Sequence, residues 1–174
     1  ANVQNLITAI IVCLKLGLSK NDIINSIKTL QPVKGRLFEF DYKNFTIIDD
    51  TYNANPESVK NALEVLSNFT KRKNKILVLG DMFELGENAK QIHTNLAENI
   101  KHAKINLLIS IGKNTKHLND SIKLGNLSRF HFDNRKKMNS FLETLNYGDS
   151  VILVKGSRGM HMEEFVETIK RKNA

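Results

Sequence analysis

The chain has no tryptophan, a single cysteine and only two prolines among its 174 residues. One cysteine excludes an intramolecular disulfide, and Cys13 lies inside the apolar stretch 6–14, where a packed thiol is expected rather than a nucleophile. A cytoplasmic location is the corresponding expectation. No apolar run approaches the roughly 20 residues needed to span a bilayer, and the stretch 6–14 has neither the basic lead nor the small-residue cleavage site of a secretory signal. It reads as a buried helix, and no membrane partner is expected. The five histidines are scattered without ligand spacing, so this chain is not expected to build a metal site. Neither a Gly-x-x-x-x-Gly-Lys-Ser/Thr phosphate loop nor a Gly-x-Gly-x-x-Gly fingerprint occurs. Acidic residues are the minority, 18 against 26 basic, for a net charge of +8. That balance attracts anions, whether nucleic acid or nucleotide-linked substrates. Without tryptophan or a recognition-helix pattern, nucleic acid is not the expected partner. The basic runs Lys71-Arg72-Lys73 and Lys170-Arg171-Lys172 read as solvated caps at helix C-termini, where cations complement the macrodipole.

What is present is a regular alternation. Two helical stripes come first: Leu6, Ile7, Ile10, Ile11 and Leu14, then Ile23, Ile24, Ile27 and Leu30. Gly17 stops the first, and Ser19 with Asp22 starts the second. The segment Gln31-Pro32-Val33-Lys34-Gly35 breaks helical structure and reads as a linker. Two helices cannot enclose a core, so they are expected to be the end of a preceding domain. Beyond the linker, strands are predicted near 45–50, 75–80, 106–111, 129–132 and 150–155. Phe38 and Phe40 alternate in a segment that should pair antiparallel at an edge, through a turn at Lys43-Asn44. A helical stripe follows each later strand; one continuous stripe is Ala89, Ile92, Leu96 and Ile100. This spacing predicts an α/β fold, a Rossmann-like, doubly wound and mostly parallel sheet with helices on both faces and an antiparallel edge hairpin.

In such a sheet, functional groups gather beyond the carboxyl ends of the strands. Four apolar runs end in reactive clusters here: Asp49-Asp50-Thr51-Tyr52-Asn53, Gly80-Asp81, Gly112-Lys113 and Lys155-Gly156-Ser157-Arg158. Asn55 before Pro56 is an N-cap with proline at the first helical position. Asp50, just past its strand, can accept from ribose hydroxyls, and Tyr52 with Asn53 adds a flat face and an amide. Asp81, Glu84 and Glu87 place three carboxylates in one strand-to-helix loop. The Lys155–Arg158 turn combines two cations with glycine and is suited to a phosphate or carboxylate at a helix N-terminus.

The blocks Asp49-Asp50-Thr51-Tyr52-Asn53-Ala54-Asn55-Pro56, Leu79-Gly80-Asp81-Met82-Phe83-Glu84-Leu85-Gly86 and Leu153-Val154-Lys155-Gly156-Ser157-Arg158 together resemble the C-terminal domain of the Mur ligase family. Gly35-Arg36-Leu37 and Asn2-Val3-Gln4-Asn5 fit the same pattern. The resemblance covers essentially the whole chain. It implies residues 1–33 as the helical end of a central ATPase domain plus linker, and 34–174 as the Rossmann-like C-terminal domain. The tyrosine in the first block and the Lys-Gly-Ser-Arg turn point to the branch that joins D-alanyl-D-alanine to UDP-N-acetylmuramoyl-tripeptide, through an acyl phosphate and with ATP and Mg2+. The resemblance then implies Asn5 near the adenine, Arg36 near the phosphates and Asp50 at the ribose. It implies that Tyr52, Asn53, Asn55, Lys155, Ser157 and Arg158 face the incoming dipeptide, flanked by Asp81 and Glu84. The phosphate loop, magnesium ligands and UDP-binding domain of the family would lie upstream of Asn2. The chain by itself is therefore expected to be a monomer without catalytic residues, without tightly bound cofactor and without activity. Another Mur-type ligase domain is the nearest alternative. A response-regulator receiver is a remoter one, because it needs a phospho-accepting aspartate at the end of the third parallel strand, where Gly112-Lys113 stands instead.

Overall fold

The computed structural model describes residues 2–31, 33–123 and 125–172. The chain divides into two compact units, Ala1–Pro32 and Val33–Ala174. The first holds α1 (Asn2–Lys15) and α2 (Lys20–Lys28). Ser19 caps α2 by accepting from the Asp22 amide, as the sequence predicted. Ile7, Ile11, Val12 and Leu14 on α1 remain exposed.

The second unit is a six-stranded sheet in the order β1-β2-β6-β3-β4-β5. The strands are β1 (Phe38–Asp41), β2 (Phe45–Asp50), β3 (Asn74–Gly80), β4 (Leu107–Ile111), β5 (Ser128–Phe132) and β6 (Ser150–Lys155). All pair parallel except β1, which runs antiparallel to β2 at the edge. Every residue of β2 and β6 is buried, as expected for strands covered on both faces. One core cluster packs α3 (Pro56–Asn68), α5 (Ala97–His102) and α6 (Lys113–Ser121) against one face of the sheet through Val59, Leu66, Ile100 and Leu118. The other packs α7 (Arg135–Thr144) and α8 (Glu163–Lys172) through Met138, Leu142, Phe165 and Ile169. The predicted strands, the edge hairpin and the helices on both faces are all present.

Three local details differ from expectation. The stripe from Ala89 to Ile100 is two helices, α4 (Ala89–Thr94) and α5, because a short i to i−3 bond from Leu96 N to His93 O interrupts the α-helical ladder. Arg72 is no helix cap: α3 ends at Asn68, and the guanidinium clamps the β1–β2 turn, donating to the Tyr42 and Lys43 carbonyls and to Asp41. Finally, the Lys155–Arg158 turn does not open α8 directly. A 3-10 turn at Arg158–Met160 ends in His161 at φ 46°, and α8 begins at Glu163 with its own acidic first turn.

Candidate functional site at the carboxyl edge

Because β6 is inserted between β2 and β3, the loops leaving these three strands are neighbours. Gly35 lies at φ +77°, and a Cβ there would sit 3.2 Å from the Tyr52 amide, so glycine alone suits the close approach. Tyr52 N donates to Gly35 O at 2.9 Å, and Leu37 N donates to Asp50 Oδ1 at 3.1 Å. These two bonds dock the Gly35-Arg36-Leu37 segment on the end of β2. The exposed Arg36 guanidinium lies over the half-exposed Tyr52 ring, 4.1 Å from its centroid. Arg36, Asp50 and Tyr52 are thereby brought together. Asn5 is an exposed position on α1, in the other unit.

Lys155, expected to face a ligand, points inward and is only 2 % exposed. It stands opposite Asp50 in the β2–β6 register, and its Nζ donates to Asp50 Oδ2 at 2.6 Å and to the Asn53 carbonyl at 2.9 Å. Ser157 is also buried: its Oγ donates to Ala54 O at 3.2 Å and accepts from Phe83 N at 2.7 Å, tying the loops after β2 and β3 to the one after β6. Asn55 caps α3 in a reciprocal capping box with Ser58. The Asn53 side-chain oxygen accepts from the Ala54 and Arg158 amides. Asn53, Asn55, Phe83, Glu84, Ser157 and Arg158 line a recess of about 280 Å³. The Arg158 side chain is 63 % exposed, with Glu163 Oε1 at a loose 3.6 Å. Glu84 is exposed and holds an uncommon φ of 62°.

Asp81 is a buried cap. Its carboxylate accepts from the amides of Asn114 (3.0 and 3.1 Å) and Thr115 (2.7 Å) at the start of α6. Gly112 makes room for it, at φ +125° and with the carboxylate 2.4 Å from where a Cβ would stand. Of the eight residues expected to face or flank the dipeptide, Tyr52, Asn53, Glu84 and Arg158 present exposed side chains. Asp81, Lys155 and Ser157 are buried on internal partners, while Asn55 is exposed but engaged in the α3 cap, and Asn53 also accepts from two backbone amides.

A second recess, of about 630 Å³, opens beyond β4 and β5 and was not anticipated. Lys113, Lys116, His117, His131 and Asp133 are among its walls. Arg135 also borders it but is tied to Glu164 at 2.6 Å and to the Met160 and His161 carbonyls. His131 Nδ1 lies 3.0 Å from Ser110 Oγ, which also accepts from Asn119 Nδ2 at 3.0 Å. Burial first, and then the Lys116 charge, hold the His131 imidazole below the usual histidine value, against Asp120, Asp81 and Asp133, which act the other way. The only sequence signal for this recess was Gly112-Lys113 at the end of β4. Among the described residues no group of three or more His, Cys, Asp or Glu side chains could hold a metal ion, and no helix is long and apolar enough to cross a membrane.

Three interlocked loops thus meet at the carboxyl edge of a mostly parallel sheet, with Arg36 stacked on Tyr52 beside the strand-end Asp50. The family model "Mur ligase, glutamate ligase domain" matches residues 35–158, and the chain belongs to the Mur ligase family. Over 98% of its length it is 33% identical to the UDP-N-acetylmuramoyl-tripeptide–D-alanyl-D-alanine ligase of Haemophilus influenzae. A crystal structure of MurF from Acinetobacter baumannii superposes with a TM-score of 0.87 at 30% identity, over 98% of this chain and 38% of that one. The MurF ligase of Thermotoga maritima, solved in complex with ADP, gives 0.73 at 29% identity, over 92% of this chain and 36% of that one. The chain spans about 37% of the length of the Haemophilus ligase.

Proposed function

We propose that the chain is the C-terminal part of a ligase that uses ATP to join D-alanyl-D-alanine to UDP-N-acetylmuramoyl-tripeptide, and that its carboxyl edge holds nucleotide on one side and dipeptide on the other. The observation that carries this reading is the match along nearly the whole chain to ligases of this one name. ATP fits the residues present. Arg36 offers an exposed guanidinium for phosphate oxygens, and each Asp50 oxygen has a lone pair beyond its present bond, able to accept a ribose hydroxyl. The nucleotide supplies the phosphoryl group that activates the tripeptide carboxyl. This chain's residues orient the two ends; magnesium is assigned to none of them. On the dipeptide side, Arg158 is the group free to grip the terminal carboxylate, with Tyr52, Asn53 and Glu84 around it. The test is ADP release by the full-length protein, expected only when ATP, the UDP-linked tripeptide and D-alanyl-D-alanine are all supplied. Release with a single amino acid and none with the dipeptide would overturn the reading.

A second placement of the dipeptide carboxylate is favoured by one observation. Lys113 and Lys116 are exposed at the larger recess and form no ion pair among the described residues. Arg158→Ala raises the Michaelis constant for dipeptide if the first placement holds, and Lys113→Ala does so if the second holds.

A further inference from the structure

Lys155 touches both halves of this site, and it does so from a buried position where it can meet neither ligand. Its ammonium donates to Asp50 Oδ2, whose other oxygen receives the Leu37 amide and so fixes the segment that carries Arg36 over Tyr52. The same ammonium donates to the Asn53 carbonyl, and the Asn53 side chain accepts the Arg158 amide. One cation thus joins the nucleotide-facing residues Arg36 and Asp50 to the dipeptide-facing residues Asn53 and Arg158. We infer that Lys155 is a positioning residue that couples the nucleotide end of the site to the dipeptide end, so that order imposed at one end is transmitted to the other through its two hydrogen bonds. The inference rests on the assignment of those two ends made above.

The physical basis is the rigidity of a desolvated ion pair. A buried carboxylate facing a buried ammonium across neighbouring strands has one low-energy geometry, because any separation exposes each charge to a nonpolar interior without compensation. Movement of the Asp50 carboxylate toward a bound hydroxyl therefore pulls on the ammonium, and through it on the Asn53 carbonyl. Coupling of this kind is reciprocal: whatever factor nucleotide contributes to dipeptide affinity, dipeptide contributes to nucleotide affinity.

Kinetics of the full-length protein test this with four variants. Arg36→Ala is expected to raise the Michaelis constant for ATP about tenfold and Arg158→Ala that for dipeptide about tenfold, each leaving the other within about twofold, as loss of one charged contact implies. Lys155→Met is expected to raise both, with a smaller change in kcat, and to abolish the effect of dipeptide on nucleotide affinity. In an Asp50→Asn background, Lys155→Met should raise the ATP constant no further yet still raise the dipeptide constant, because the Asn53 branch remains. A Lys155→Met enzyme with a lower melting temperature and unchanged constants, or with only one constant changed, overturns the coupling role. Lys155→Gln is read in the same way if Lys155→Met does not fold, and failure of both to fold assigns Lys155 to the scaffold alone. If Arg36→Ala and Arg158→Ala do not separate ATP from dipeptide, the site assignment falls rather than the role of Lys155.

Discussion

At the carboxyl edge of β2, β6 and β3, Asp50, Lys155 and Ser157 are bonded to the protein itself, and Asp81, just past β3, caps α6. In the recess beyond β4 and β5, Lys113 and Lys116 face solvent with no acidic partner among the described residues. Similar residue types thus stand at strand ends in both places, with opposite consequences. The ends of β2, β6 and β3 bury Asp50, Lys155 and Asp81 together, and a buried polar group must find partners. Lys113 and Lys116, on the first turns of α6 beyond β4, stay in water. A reactive residue after a central strand is therefore as much a part of the scaffold as of the site.

The sharpest way to break this comparison is Lys155→Met, expected to destabilise the chain by about 3–5 kcal/mol because it strands the Asp50 carboxylate, with part of the loss recovered by adding Asp50→Asn. Urea unfolding measures both, and a cost under about 1 kcal/mol would mean that water already reaches the pair. Next is Asp81→Ala, which leaves the buried Thr115 amide and the partly buried Asn114 amide of α6 without their acceptor and should cost about 2–4 kcal/mol in the same experiment. By contrast, Lys113→Ala and Lys116→Ala should each stay within about 0.5 kcal/mol of the parent, as solvated surface positions do. A loss as large as that of Asp81→Ala would erase the distinction between the recesses.

The smallest effect concerns His131. Its NMR titration midpoint should fall below the ordinary 6.5, and Lys116→Ala should raise it by removing a neighbouring positive charge. Because the folded value lies below the unfolded one, the unfolded chain takes up the proton first. The contribution to stability is fully present above about 6.5 and is lost as pH falls toward the folded value. A midpoint above 6.5 would show that the aspartates, not burial and Lys116, dominate the recess.

The alternation of apolar runs and helical stripes made the sheet legible in the sequence, and Asn55-Pro56 marked the start of α3 correctly. The burial of Lys155 was not legible. It depends on β6 lying between β2 and β3, and strand order leaves no mark on local periodicity. The same holds for Asp81, whose partners lie 33 and 34 residues downstream across a strand pair. The larger recess draws Lys116, His131 and Met160 from three separate elements, so no contiguous motif announces it. What could be read were the residues that terminate strands. What could not be read was which way each of them faces once its neighbours are in place.

The stacking of Arg36 on Tyr52 also has an optical consequence. The chain has no tryptophan and three tyrosines, so phenol rings dominate its ultraviolet emission. Tyr147 is enclosed in the core with its hydroxyl bonded to Leu142 O, and Tyr42 lies flat against Phe45. Tyr52 is the one phenol half-open to solvent, and it lies directly beneath the cation assigned to the phosphates. Any anion that draws Arg36 off that ring changes the surroundings of a built-in fluorophore, so arrival at this edge can be followed as a change in brightness without attaching a dye.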